Sequence, residues 1–336
     1  MHEAMLYDKL TDDRVRCYLC AHHCTISDGK KGICHVRENN GGTLNTLVYG
    51  RTIAQNIDPI EKKPFYHFHP GSSSYSIATP GCNFRCDWCQ NADISQMPRE
   101  QDIIMGKEAK PEDIVAAAHN SGCRSIAYTY TEPTVFFEYT LDTSKLAHDA
   151  GIANAYVSNG YMTKEMLDIY HPYLDAINID LKSFSEETYK KYIGAKLQPV
   201  LESLKTIKQY EIHLEVTTLI IPTINDDPSE LRDLAQFIAQ ELGIETPWHI
   251  SRFHPMHKMP DVPPTPPETL LMAREIGEEQ GLRFVYLGNI SGYNGSNTVC
   301  HSCGNLIVER LVYRIQIHGL NDSKCNFCGA DLNFVI

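Results

Sequence analysis

Three cysteines stand close together in Thr79-Pro80-Gly81-Cys82-Asn83-Phe84-Arg85-Cys86-Asp87-Trp88-Cys89-Gln90-Asn91, with the spacing Cys-x3-Cys-x2-Cys. Thiolates placed at i, i+4 and i+7 of a loop can wrap three corners of a four-iron cubane. The fourth iron then has no protein ligand, and an open iron is a place where a chelating cofactor can bind. A zinc ion generally wants a fourth tetrahedral ligand, and no obvious one adjoins this triplet.

Of the twelve cysteines, all but Cys123 fall into three tight groups, and Cys123 reads as a core filler. Clustered thiols in a chain that opens without a secretory leader point to metals rather than disulfides. Cys300-His301-Ser302-Cys303-Gly304 and Cys325-Asn326-Phe327-Cys328-Gly329 are two knuckles that would close a four-thiolate zinc ribbon, with His301 outside the ligand set. Residues 305–324 supply the strand pair between them. The N-terminal group, Cys17-x2-Cys20-x3-Cys24-x9-Cys34, offers four more thiolates. Zinc and an auxiliary iron–sulfur cluster both satisfy that count. The expectation leans to zinc, because nothing in the sequence demands a second electron carrier.

The Cys82–Cys89 spacing, with aromatic Trp88 before the last ligand, resembles the radical S-adenosylmethionine superfamily. Across residues 75–290 the chain is most similar to pyruvate formate-lyase activating enzyme. Glu132-Pro133 stands where that family has Gly-Gly-Glu-Pro, although Tyr130-Thr131 replaces the two glycines. Ser158-Asn159-Gly160 matches its Thr-Asn-Gly, with Val157 where the activating enzyme has an Asp, and Asp180-Leu181-Lys182 matches its Asp-Leu-Lys. The resemblance implies that Glu132 takes the methionine ammonium of S-adenosylmethionine, that Ser158 and Asn159 contact its ribose or carboxylate, and that Lys182 binds the carboxylate while Asp180 orders Lys182 or the ribose hydroxyls. Trp88 and His254 are implied near the cofactor. His249, His257, His67 and His69 read as ordinary hydrogen-bonded histidines. With Gly32-Ile33-Cys34 and Val36-Arg37-Glu38-Asn39, nearly the whole chain resembles the AmmeMemoRadiSam radical enzymes. That likeness implies a 4Fe–4S cluster, S-adenosylmethionine, a reductant such as flavodoxin or ferredoxin, and a Memo-like partner protein.

Behind these residues the chain alternates strands and helices. Expected strands are 75–79, 125–130, 152–157, 176–181, 213–220, 248–253 and 283–288. Helical stretches lie between them, several with Pro at the first turn and Gly at the stop. Such units make a parallel sheet with right-handed crossovers. Glu132, Asn159, Asp180 with Lys182, and His254 all sit where separate strands end, and convergence on one mouth is barrel geometry. The expected fold is α/β, a partial (β/α)6-type TIM barrel over 75–290. A Cys-rich N-terminal extension over 1–74 and a zinc-ribbon-like module over 291–336 flank it.

A net charge of −12 argues against nonspecific nucleic-acid binding, and Lys30, Lys31 and Arg37 read as a solvated loop rather than a basic patch. No apolar run is long enough for a membrane span, and a cytoplasmic location is expected. Three functions compete. The first is a radical enzyme abstracting hydrogen from a protein or peptide, with glycyl radical generation as precedent. The second is radical modification of RNA or a small molecule, with the zinc modules gripping substrate. The third is a zinc-ribbon binding module on an inactive barrel, which the intact triplet and Glu132 oppose.

Overall fold

The computed structural model describes residues 2–290 and 293–336; Ser291 and Gly292, which open the expected C-terminal module, lie outside them. Eight strands form the central sheet: β1 (Ala54–Pro59), β2 (Ser73–Ala78), β3 (Ser125–Tyr128), β4 (Ala153–Ser158), β5 (Ala176–Asp180), β6 (His213–Ile220), β7 (Trp248–Arg252) and β8 (Val285–Gly288). They lie in chain order, with β1 antiparallel to β2 and every later neighbour parallel. β1 and β8 are free edges, so this is a partial barrel. The six crossovers carry α1 (Pro111–Asn120), α2 (Phe137–Asp149), α3 (Lys164–Tyr170), α4 (Gln198–Gln209), α5 (Pro228–Phe237) and α6 (Pro267–Glu279). Proline opens α1, α5 and α6, where its missing N–H costs nothing.

Apolar alternation does not announce β1. Its sequence, Ala-Gln-Asn-Ile-Asp-Pro, is mostly solvent-facing, because an edge strand has only one covered side. Within the 1–74 segment, therefore, Ala54–Pro59 is part of the barrel sheet.

Alternation along β4 shows how the barrel is filled. Ala153, Ala155 and Val157 face inward with Ala176, and against them pack Ile60, Phe65 and Phe68. The intervening Asn154 and Tyr156 turn outward to the helices: the Asn154 amide donates to the Ser144 carbonyl (3.0 Å), and Tyr156 meets Thr140. Small inward residues thus leave room for the 60–68 segment to plug the N-terminal end of the barrel. Buried Glu215 anchors that plug by accepting from the Tyr66 and His67 amides (3.0 and 2.8 Å). Burial opposes its charge, but His213 (3.1 Å) and His249 (2.6 Å) outweigh burial and hold its carboxyl well below the usual range.

The C-terminal module is built on the antiparallel pair β9 (Leu306–Leu311) and β10 (Arg314–Ile317). Its core unites Ile307, Val308, Leu332 and Phe334 with Phe284 and Tyr286 at the start of β8. His67 joins the two parts, bridging the Leu332 carbonyl (2.8 Å) and the Tyr286 hydroxyl (2.6 Å). These contacts put the module at the N-terminal end of the strands, where residues serve stability rather than the mouth's chemistry.

The N-terminal module sits at the other end. Arg37, 1 % exposed, forms a buried ion pair with Glu138 of α2, and Glu138 also accepts from the Met5 amide (2.6 Å). Reading Lys30, Lys31 and Arg37 as one solvated loop is therefore corrected. Arg37 is a core residue, because long-range pairing with Glu138 supplies the counter-charge that local sequence does not show. Glu138→Ala strands a buried guanidinium and is expected to cost about 3–5 kcal/mol, measured by anaerobic denaturant unfolding against wild type.

Candidate active site

The cysteine loop leaves β2 and has no regular structure, so its backbone groups are held from outside. The Gly81 amide donates to Ile94 (3.2 Å), Arg85 to Ile193 (3.0 Å), Asp87 to Tyr192 (3.1 Å), and the Lys258 amide to Asp87 (3.0 Å). Arg99 donates to the carbonyls of Phe84 (3.1 Å) and Cys82 (3.3 Å), and His22 donates through Nε2 to the Asn83 carbonyl (2.9 Å). Gly81 has φ +106°, and a Cβ there would sit 2.6 Å from Cγ1 of buried Val36. This glycine is required on two counts, conformation and space.

Strand ends bring the expected cofactor residues together. Glu132 follows β3 and is 1 % exposed. Its Oε1 accepts from the Thr134 amide (3.0 Å), Thr134 Oγ1 (2.6 Å) and Ser158 Oγ (2.8 Å), while Oε2 accepts from the Asn159 amide (2.8 Å). Asn159 in turn donates through Nδ2 to Oδ1 of Asn83 (2.7 Å), the residue beside Cys82. One chain of hydrogen bonds therefore runs from the β3 end through the β4 end to the cysteine loop. At the end of β5, Lys182 Nζ lies 2.9 Å from Asp180 Oδ2. Burial opposes the lysine's charge, but Asp180 beside it outweighs burial and keeps it protonated. Trp88 is buried beside Tyr192 (6.3 Å between rings), whereas His254 is exposed beyond β7. His249 is taken up by Glu215 inside the barrel.

Sequence reasoning assigned no role to Asn83 and missed Arg99. Asn83 lay in plain view within the cysteine motif; Arg99 carries no signal, since its partners Ile33 and Cys82 are distant in sequence.

Burial pushes the Cys86 thiol up to about 12, with Lys182 pulling the other way. Burial, the Glu132 charge and the other two thiols raise Cys82 well above its ordinary value. Such thiols stay protonated unless a metal replaces the proton. Thr79 Oγ1 and Asn83 Nδ2, both flanking Cys82, are buried without a partner. Three clustered thiols, two of them raised by burial, with unspent polar atoms beside them, fit a bound metal cluster.

Cys300, Cys303, Cys325 and Cys328 are, among the described residues, the one group of three or more metal-ligating side chains whose ligand atoms all lie within 4.8 Å. Cys300 and Cys328 sulfurs are 3.6 Å apart, Cys303 and Cys325 sulfurs 3.7 Å. Four thiolates about 2.3 Å from one ion stand about 3.8 Å apart, so the group fits a single tetrahedral ion. Gly304 and Gly329, at φ +74° and +76°, turn the chain after each pair. His301 instead bonds the Asp331 carbonyl (3.0 Å). Cys17, Cys20, Cys24 and Cys34 surround one cavity together with Arg37.

Residues 76–238 match the Radical SAM superfamily. Over 338 residues the chain is 46 % identical to an uncharacterized protein of Methanocaldococcus jannaschii, covering 100 % of both. The chain belongs to the radical SAM superfamily. It is also 24 % identical over 172 residues to the pyruvate formate-lyase-activating enzyme of Clostridium pasteurianum, covering 49 % of this chain and 69 % of that one. In fold it is similar to a radical SAM methyltransferase from Sphaerobacter thermophilus, with a TM-score of 0.52, 13 % identity and 71 % of each chain covered. Membership in the radical SAM superfamily implies an enzyme that uses a 4Fe–4S cluster and S-adenosylmethionine. No helix among the described residues is long and apolar enough to cross a membrane.

Replacing Gly81 by Ala is expected to shift the cysteine loop at a cost of about 1–3 kcal/mol. Iron retained after anaerobic desalting should fall while the C-terminal metal is unchanged, which metal analysis of the two sites reads directly.

Proposed function

We propose that the chain cleaves S-adenosylmethionine reductively and uses the resulting radical to take hydrogen from a protein or peptide, with glycyl radical activation as the nearest precedent. The observation that carries this reading is the hydrogen-bond chain from Glu132 through Ser158 and Asn159 to the Cys82 loop. When bound, the cluster and its cofactor supply one-electron cleavage of the sulfonium and a 5′-deoxyadenosyl radical.

The chain's own residues bind and orient. Cys82, Cys86 and Cys89 would hold three irons and leave the fourth open. A carboxylate offers about four lone-pair sites; Oε2 of Glu132 accepts one protein hydrogen bond and keeps capacity for the methionine ammonium. Lys182, charged and close to Cys86, is placed to neutralise the cofactor carboxylate, with Asp180 steering it. Ser158 and Asn159 complete the cradle, Trp88 backs it, and His254 at the open rim meets the cofactor or substrate as the mouth fills. The reductant is a flavodoxin or ferredoxin, the compartment the cytoplasm, and a Memo-like protein is the partner the wider family resemblance suggests. The C-terminal four thiolates are a structural zinc site. Its place at the far end of the barrel counts against a role in gripping substrate at the mouth.

Anaerobically reconstituted protein with dithionite and S-adenosylmethionine should release 5′-deoxyadenosine, measured by liquid chromatography and mass spectrometry. Cys86→Ala should bring that release below detection; undiminished turnover in the variant overturns the reading. A glycine-centred paramagnetic signal in a co-purified protein would then select the substrate class. Separately, Cys303→Ser should lose about one zinc per chain and lower the melting temperature, because a structural zinc contributes folding energy; metal analysis and calorimetry check both.

A further inference from the structure

We propose that Cys17, Cys20, Cys24 and Cys34 hold a second iron–sulfur cluster, of the four-iron type, rather than the zinc ion to which the sequence expectation leans. The three cysteine groups can be compared within one molecule. The C-terminal four have already converged to the spacing of a mononuclear tetrahedron. Among the described residues no three of the N-terminal sulfurs share that 4.8 Å span, and neither do the three at the barrel mouth. The N-terminal group thus has the wide stance of the triplet whose family carries a cubane. Yet its four sulfurs are not scattered: all four cysteines wall a single cavity, together with Leu19, Ile26 and Arg37. A cubane needs its thiolates held apart around a space, whereas one ion needs them drawn together.

Arg37 gives a second, independent sign. Its Nη1 donates to the Cys17 sulfur (3.2 Å), and its Nη2 donates to the Met5 carbonyl (3.1 Å) and to Glu138. Its Nε–H, buried in the same wall, has no acceptor. A sulfide or thiolate of a bound cluster supplies that acceptor, and hydrogen bonds to the sulfurs are a known control on cluster potential.

The site also adjoins the mouth. The Cys34 carbonyl is 3.5 Å from where a side chain on Gly81 would begin, and Arg99 donates both to the Ile33 carbonyl (2.9 Å) and to the Cys82 carbonyl. With four cysteine ligands no iron stays open, so this cluster cannot chelate the sulfonium cofactor. It exchanges electrons or braces the Cys82 loop.

The test is a count of iron, labile sulfide and zinc in the full chain, reconstituted without oxygen. Two four-iron clusters predict about eight irons and eight sulfides per chain, with about one zinc. The variant lacking Cys82, Cys86 and Cys89 (each to Ala) should keep about four irons with matching sulfide. Cys20→Ala combined with Cys24→Ala should lose about the same number with zinc unchanged. About two zincs and four irons in wild type would overturn the proposal, as would a triple variant that is folded by circular dichroism but free of sulfide. If the Cys20/Cys24 variant does not fold, the triple variant still decides: with one zinc per chain filling the C-terminal thiolates, its sulfide-bridged iron can reside only in the N-terminal group. The count is independent of cofactor cleavage, so this site and the chemistry of the mouth fail or stand separately.

Discussion

A loop of thirteen residues without regular secondary structure, 79–91, has to present three thiols at fixed positions, and most of the barrel's mouth exists to hold it. Every polar backbone group removed from water needs a partner. Here the partners come from Ile193 and Tyr192 after β5, from Lys258 after β7, from Arg99 beyond the loop, and from His22 in the N-terminal module. The loop is thus the point at which otherwise separate strand-end segments meet. Gly81 belongs to the same constraint: its backbone approaches Val36 too closely for any side chain.

The two ends of the barrel carry different physics. At the C-terminal ends of the strands, Glu132, Ser158, Asn159, Asp180 and Lys182 form polar connections whose atoms converge toward the cysteine loop. At the N-terminal ends, Ile60, Phe65 and Phe68 fill the interior, Glu215 pins the plug through the Tyr66 and His67 amides, and the C-terminal module seals it through His67 and Tyr286. The buried carboxylates at both ends are neutralised in opposite ways. Hydrogen bonds from His213 and His249 hold Glu215 well below the usual carboxylate range, whereas burial raises Glu132 despite its hydrogen-bond donors. A carboxylate surrounded by neutral donors rather than by a cation retains an appetite for one, which suits a residue meant to receive an ammonium.

Much of the candidate site could be read in the chain because its chemistry is local. Cys82, Cys86 and Cys89 lie within eight residues, and each C-terminal knuckle within four, so spacing alone sets which sulfurs can share a metal. The parallel strands were legible from runs such as 176–181 and 213–220, where burial on both faces demands continuous apolar or small residues. β1 was not, because an exposed edge imposes little on its side chains. Arg37 was misread for a related reason: its partner Glu138 is 101 residues away, and a charge in a loop looks solvated until that partner is placed.

By itself, then, the sequence determined the cysteine groups, the strand–helix alternation and the family, all of which depend on short-range spacing and on periodicities of two and 3.6 residues. Only the tertiary structure decided that Glu132 reaches Ser158 and Asn159, that the N-terminal cysteines abut the mouth, and that the C-terminal module lies at the opposite end. It alone showed that the C-terminal sulfurs, among the described residues, converge within 4.8 Å while the other two groups do not. Those are distances between segments brought together by packing, and packing geometry is a property of the assembled core rather than of any stretch of chain.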